Sequence, residues 1–227
     1  MKFIDLGIID PCLGICTEQA LFESHKDFLV LYSRNKPTVS LGRFKDVNES
    51  INIDYAKKND ITIVRRLSGG SAIYCDRNQI TYSIILERDR FDSKEEAYKT
   101  VCDCVIASLT HLGVKAVYKP INDILVNDKK ISGSAQYRDQ EHLIQHGSVI
   151  LRLDQKTMDS VLKPIKERKY SGLTSVKEIL GYIPCREKIA SAFMNGFSTF
   201  EIKKSPLDLN EKKRIDELVS QFKSISF

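Results

Sequence analysis

Residues 61–86 read Ile61-Thr62-Ile63-Val64-Arg65-Arg66-Leu67-Ser68-Gly69-Gly70-Ser71-Ala72-Ile73-Tyr74-Cys75-Asp76-Arg77-Asn78-Gln79-Ile80-Thr81-Tyr82-Ser83-Ile84-Ile85-Leu86, and this order decides the fold. Two short apolar runs, Ile61 to Val64 and Ala72 to Cys75, flank the small-residue loop Ser68 to Ser71. After the polar turn Asp76 to Gln79, the chain returns as a third strand, Ile80 to Leu86. Three strands with no helix between them predict pairing in hairpin order. Upstream, Leu13, Ala20, Leu21 and Phe22 recur at helical spacing after Pro11 and predict a helix over 10–24. Val30 to Ser40 reads as strand with Pro37 as an interruption, and Asp54 to Asn59 as a short helix. Downstream, Lys94 to Leu112 forms an amphipathic helix stopped near Gly113. Strands follow at Asp123 to Val126, Lys130 to Tyr137 and His146 to Leu153, with a turn at Asn127-Asp128. The remainder is helical at 157–162, 174–180, 186–193 and 211–222, with a strand at Thr199 to Lys203. Strands in hairpin order with helices inserted predict an α+β fold: a mixed, largely antiparallel sheet with flanking helices.

The chain has 227 residues, 42% hydrophobic and 29% charged, enough for one sizeable domain. The net charge of +5 suits an anionic ligand or an acidic protein partner, and no interleaved aromatics point to nucleic acid. No apolar run approaches the ~20 residues of a membrane span. The N-terminus lacks the apolar core and cleavage site of a signal peptide. These features predict a cytoplasmic protein whose six cysteines, Cys12, Cys16, Cys75, Cys102, Cys104 and Cys185, are free thiols. Neither Cys12/Cys16 nor Cys102/Cys104 has zinc-knuckle spacing, and the histidines are not placed along the chain to complete a site with them.

Two segments carry chemistry. In Arg65 to Tyr74, glycines let backbone N–H groups approach an anion and two arginines supply fixed positive forks. The loop is neither a Walker loop nor a dinucleotide fingerprint, because it lacks the glycine spacing and opens no helix. Taken alone, it fits equally a plain hairpin turn with a solvated arginine pair. The second segment runs from Pro120 to Gln136. Asn122 and Asp123 begin a strand where a carboxylate could meet Mg²⁺ or a ribose hydroxyl. Lys130 opens Ile131-Ser132-Gly133-Ser134-Ala135, whose small side chains leave room for a flat ligand beside a point charge. A hairpin with a solvated Lys129-Lys130 pair fits this segment as well.

Arg65-Arg66-x-Ser68-Gly69-Gly70, Ile80-Thr81-Tyr82-Ser83, Asn122-Asp123-Ile124-Leu125, Lys130 to Ala135, His146-Gly147-Ser148 and Gly172-Leu173-Thr174-Ser175-Val176 occur in the order and spacing of one family. Together they resemble the lipoate–protein ligase A family, from the N-terminal helix to about residue 180. The resemblance implies a fold related to biotin–protein ligases and class II aminoacyl-tRNA synthetases. It implies ATP-dependent activation of lipoate to lipoyl-AMP, and transfer to a lysine of a lipoyl carrier domain of the 2-oxoacid dehydrogenase E2 or glycine-cleavage H-protein type. Carried over by position, Arg66 and Ser71, Ala72, Ile73 and Tyr74 resemble the nucleotide-binding set. Lys130 resembles the lysine that contacts the lipoyl carboxylate and the α-phosphate. Asn122 and Asp123 resemble the residues that hold ATP and Mg²⁺. Gly69 and Gly70 would lie over the acyl chain and phosphate, and His146 resembles a supporting group near the lipoyl pocket.

The chain departs from the family pattern twice: Ser71 stands for a third glycine and Cys75 for a histidine. A serine serves at position 71 unless that residue needs positive φ. The rival reading is an ATP-independent octanoyl- or lipoyl-transferase, which needs a nucleophilic cysteine near the pocket. None occurs between Cys104 and Cys185. A ligand-sensing inactive homologue would not require Arg66, Asp123 and Lys130. Residues 181–227 are expected to pack back on the sheet, leaving 1–227 as a single catalytic domain without a C-terminal accessory domain. A separate small accessory protein would then complete the site, as in two-part ligases.

Overall fold

The chain enters as a strand that its composition does not announce. In the computed structural model, which describes residues 1–164 and 171–222, β1 (Lys2–Ile9) lies parallel to β2 (Phe28–Arg34), with α1 (Pro11–Glu23) as the crossover. Asp10 accepts the Cys12 N–H and Pro11 opens the helix, so α1 starts where side-chain capping places it. Pro37 has no N–H to continue a ladder, and the expected single strand from Val30 to Ser40 breaks there. β2 stays in the large sheet, while β3 (Thr38–Leu41) joins a small second sheet.

Two short helices, α2 (Val47–Ser50) and α3 (Ile53–Lys58), lead to β4 (Thr62–Arg65) and β5 (Ile73–Cys75). These two do not form the expected hairpin. They flank β3, parallel on one side and antiparallel on the other. The Ser68-Gly69-Gly70-Ser71 loop therefore crosses the end of β3 instead of closing a two-strand turn. The chain then returns to the large sheet as β6 (Gln79–Glu87).

α4 (Lys94–His111) is capped by Ser93, which accepts the Glu96 N–H at 3.0 Å. β7 (Val117–Lys119), β8 (Asp123–Val126), β9 (Lys129–Arg138) and β10 (His142–Ile150) follow. Asn127 and Asp128 both hold positive φ (49° and 60°), the conformation a two-residue hairpin turn demands. β10 starts four residues before the sequence expectation, because the polar His142, Gln145 and His146 that disguise it are themselves buried. α5 (Gln155–Val161), α6 (Val176–Leu180), α7 (Arg186–Gly196), β11 (Lys203–Lys204) and α8 (Leu209–Phe222) complete the order. In place of the expected strand over 199–203, Ser198–Phe200 form a 3₁₀ turn and only Lys203–Lys204 pair, beside β1.

The large sheet runs β11-β1-β2-β6-β10-β9-β8-β7. Its β11–β1 and β1–β2 pairs are parallel and the rest antiparallel. Period-two alternation sorts the side chains onto two faces. Leu29, Leu31, Tyr82 and Ile84 pack with α4 and α7, while Phe28, Val30, Ile85 and Ile144 pack toward α1. α8 covers α1 through Ile215 and Leu218 against Cys16 and Ala20. No helix among the described residues is long and apolar enough to cross a membrane.

α7 thus packs on the same core as the sheet, while α8 packs on α1. Phe193 is 1% exposed and lies 5.9 Å from the Tyr82 ring and 6.1 Å from the Phe197 ring. Phe193→Ala should cost ~3–5 kcal/mol of global stability. Denaturant unfolding followed by circular dichroism should show one transition, shifted to lower midpoint; a separate early transition with the main one unmoved would place 186–222 outside the common core.

Candidate active site

On the α1 face of the sheet, Tyr32 of β2, Ser83 of β6 and His146 of β10 converge on one carboxylate, Glu18 of α1. The Tyr32 hydroxyl donates to Glu18 Oε1 at 2.9 Å and the Ser83 hydroxyl to the same oxygen at 2.5 Å. His146 Nδ1 lies 2.7 Å from Glu18 Oε2. Burial by itself would raise the Glu18 carboxyl, but the His146 charge and hydrogen bond and the Ser83 and Tyr32 hydroxyls outweigh it and hold the group below its ordinary range. The other ring nitrogen of His146, Nε2, meets the Ser68 hydroxyl at 2.5 Å. Ser68 in turn accepts from Arg66 Nε at 3.1 Å. One hydrogen-bonded chain therefore runs from the interior of α1 to the Ser-Gly-Gly loop.

Arg66 spends most of its donors on that loop. Its Nη1 donates to Ser40 O, and Nη2 to Gly69 O and Ser71 O, each at 2.7 Å. The guanidinium is 7% exposed, and burial, reinforced by the charge of Arg34, pulls it down to about 10, which leaves it cationic at neutral pH. Arg65 donates through Nη1 to the carbonyls of Gly42, Arg43 and Lys45 at 3.1, 3.0 and 2.9 Å. The solvated arginine pair of a plain hairpin is excluded: both guanidinium groups are clamps on backbone carbonyls. Gly42 lets these two backbones meet, since a Cβ there would fall 2.0 Å from Gly70 O. Gly70 itself sits at φ +90°, while Ser71 is not among the positive-φ residues, so serine is compatible with the position.

The second segment closes the cleft from the other side. Lys130 Nζ lies 2.6 Å from Asp123 Oδ1. A Cβ on Gly133 would come within 2.5 Å of Lys130 Cε and Nζ, so the glycine is the space in which the ammonium lies. The Lys130 N–H donates to Gly172 O at 2.9 Å and its carbonyl accepts the Thr174 N–H at 3.0 Å, tying the 172–174 segment to β9. Asn122 Nδ2 donates to Ser134 O at 2.5 Å, locking the start of β8 against β9.

Arg66, Gly69, Gly70, Ser71, Ala72, Ile73, Tyr74, Asn122, Asp123, Lys130 and His146 all line one cleft of about 1050 Å³. Every site residue anticipated from the sequence is thus brought to the same space. Glu18, Gly42, Arg34 and Ser83 were missed as functional residues. The only signal for Glu18 was an acid on the buried stripe of α1, four residues after Gly14 and three before Leu21. Arg34 is 3% exposed, lines the cleft, and has Nε and Nη1 without a hydrogen-bond partner.

Of the six cysteines, Cys75 alone lines the cleft. It is 1% exposed, and burial pushes its thiol up despite the neighbouring Arg34 and Arg66. Burial also raises Cys16 and Cys104 to about 11 and Cys102 to about 12.

A family model of the lipoyl protein ligase A/B catalytic domain matches residues 13–198. The octanoyltransferase LipM of Halalkalibacterium halodurans is 27% identical, with 95% of this chain aligned to 92% of that protein. The lipoate-protein ligase LplJ of Bacillus subtilis is 34% identical over 74% of this chain but only 50% of its own length. This chain therefore spans about half of that ligase and nearly all of the octanoyltransferase. Among solved structures, the bipartite lipoate protein ligase of Thermoplasma acidophilum, described with its E2 lipoyl domain, superposes with a TM-score of 0.85 at 23% identity over 97% of this chain and 92% of that one. A lipoate-protein ligase A bound with ATP also scores 0.85, at 24% identity over 97% and 94%. At these identities the superpositions establish the shared fold.

Because the folded Glu18 carboxyl lies below its unfolded value, its contribution to stability is complete above the ordinary carboxylate range near pH ~4.3 and is lost as pH falls through the folded pKa. Glu18→Gln should lower stability by about 3 kcal/mol at neutral pH, since it strands the buried partners. The deficit should shrink in acid. Urea midpoints of the two proteins across pH would check this, and a pH-independent deficit would show that Glu18 is not ionised in the fold.

Proposed function

The chain belongs to the family of lipoyl protein ligase A/B catalytic domains, and we propose that within it this protein is an ATP-dependent lipoate–protein ligase. The observation that carries this reading is the cleft's pairing of a cation-lined anion site with a thiol unsuited to nucleophilic attack. Lys130 and the Arg66-braced loop face the same space, whereas Cys75 is buried and held protonated. A thioester route needs an accessible thiolate.

The chemistry follows from charge. A carboxylate and an α-phosphate repel each other, and a fixed ammonium between them lowers the cost of approach. Lys130 would neutralise the lipoyl carboxylate as one of its oxygens attacks the α-phosphorus and pyrophosphate leaves. Backbone N–H groups of 69–72, held in place by Arg66, would receive phosphate oxygens. Asp123 positions Lys130 and offers one carboxylate to Mg²⁺. One carboxylate is what a Mg²⁺ held chiefly by phosphates and water takes, so the residue fits. That ion, when bound with the nucleotide, would supply a further positive charge at the phosphates. The Glu18–His146–Ser68–Arg66 chain keeps the loop rigid, so that little reorganisation accompanies the reaction. A carrier lysine amine then attacks the mixed anhydride carbonyl and AMP leaves. The ATP-bound ligase and the ligase described with its E2 lipoyl domain, both of this fold, support the choice of nucleotide and of a lipoyl carrier domain as partner. We extend the reading to a separate small accessory protein that raises adenylation by this chain.

One observation favours a second reading. LipM-type octanoyltransferases match this chain over nearly their whole length. In that case an acyl group would pass through a cysteine without ATP.

Two experiments separate the readings. Lys130→Ala should reduce lipoyl-AMP formation by ~10²–10³ while the fold persists, because it removes one preorganised cation from the reacting centre. Near-normal adenylate yield from the variant, measured by pyrophosphate release with lipoate, ATP and Mg²⁺, would sink the assignment. A variant with all six cysteines replaced by Ser or Ala should still lipoylate a carrier domain. Loss of transfer traced to one cysteine, with an acyl-enzyme mass on it, would move the protein to the transferase class.

A further inference from the structure

Away from the cleft, His25, Glu141 and His142 bring their ligand atoms within 4.8 Å of one another. His25 follows α1 in the turn to β2, while Glu141 and His142 sit where β9 turns into β10. The His25 ring stacks on His142 at 4.9 Å between centroids and 27° between planes. His25 Nδ1 lies 2.7 Å from Glu141 Oε2. A further carboxylate, Asp139 Oδ2, lies 3.8 Å from His25 Nε2.

His142 is the informative member. It is 6% exposed, yet neither of its ring nitrogens has a hydrogen-bond partner. Buried imidazole nitrogens are ordinarily bonded, and an orphaned one needs an explanation. The surrounding backbone is fixed independently of any ligand. Asp139 Oδ1 accepts the N–H groups of Glu141 and His142 at 2.9 and 2.7 Å, and the His25 N–H donates to Phe22 O at 3.2 Å.

We propose that His25, Glu141 and His142 form a binding site for one divalent transition-metal ion, with zinc the best fit, which clips the end of α1 to the start of β10. Two imidazoles and one carboxylate are a zinc donor set, and a water or Asp139 completes four-coordination. Two ligands adjacent on a tight turn and a third from a remote segment make the ion a cross-link within the fold. The elements joined are those that carry Glu18 and His146. His142 and His146 lie on the same face of β10, about 13 Å apart at strand spacing. The ion is thus a brace behind the site and touches no substrate. It binds the folded state alone and stabilises it increasingly, with the logarithm of its free concentration over Kd.

The test is calorimetric titration of chelator-treated protein with Zn²⁺, and with Co²⁺ for its visible spectrum. One equivalent should bind, the thermal midpoint should rise, and the Co²⁺ spectrum should show nitrogen and oxygen ligation without thiolate charge transfer. His142→Phe keeps the stacked ring and removes both nitrogens; His25→Asn suits the φ of 53° at that exposed position. Each should bind Zn²⁺ at least tenfold more weakly and lose the thermal shift, while Cys185→Ser binds as before. Absence of binding at micromolar Zn²⁺, binding that survives either histidine substitution, or a thiolate signature in the Co²⁺ spectrum would overturn the proposal.

Discussion

The site depends on one buried carboxylate. Glu18 is surrounded by protein, and such a charge is tolerable only where donors surround it. Tyr32, Ser83 and His146 provide them from three neighbouring strands, each presenting the side chain that alternation aims at α1. The strand register and the seat of α1 must therefore agree, since a one-residue slip of any of these strands would turn its donor to the opposite face. His146 then passes the constraint on to Ser68, and Ser68 to Arg66. A loop that glycine would otherwise leave loose is thereby held by hydrogen bonds anchored in a helix on the far side of the cleft.

The arginines have a different part from the one their type suggests. A guanidinium in a glycine-rich loop invites assignment as a direct anion ligand. Here Arg66 is spent on three loop and strand carbonyls and Arg65 on three others. The charge of Arg66, which lines the cleft, still reaches it, because a buried cation is weakly screened. Lys130 is the contrasting case. It is a point charge lying in the space left by Gly133, beside the Asp123 carboxylate.

Family membership and catalytic subtype rest on different physics. Membership rests on the family model over residues 13–198, and relatives named as octanoyltransferases and as lipoate-protein ligases both match this chain. A thioester route needs a thiolate near the bound acyl group. That is a question of desolvation: the same arginines that would favour a thiolate at Cys75 are outweighed by burial. A thiol beside a cationic loop reads the same in the sequence whether it is exposed or buried, and the burial of Cys75 is visible only in the fold.

Local signals carried much of the architecture. The helix after Pro11, the helix from Lys94, the Asn127-Asp128 turn, the strand Ile80 to Leu86 and the small residues after Lys130 were legible because each is decided within a few residues. The residues lining the cleft were legible through motif order. Three kinds of feature were not. β1 and β11 depend on partners some 200 residues apart in the chain, and a short strand has no periodicity long enough to declare itself. The crossing of the Ser-Gly-Gly loop over β3 required knowing that Pro37 hands the chain to a second sheet. Glu18, Gly42 and the His25–His142 contact gain their meaning from atoms remote in sequence: a carboxylate, a missing Cβ and a pair of imidazoles are ordinary until the fold sets something against them. Sequence alone determined which chemical groups were available and in what local conformation; the tertiary structure decided which were buried and which met, because burial and distance are properties of the packed chain.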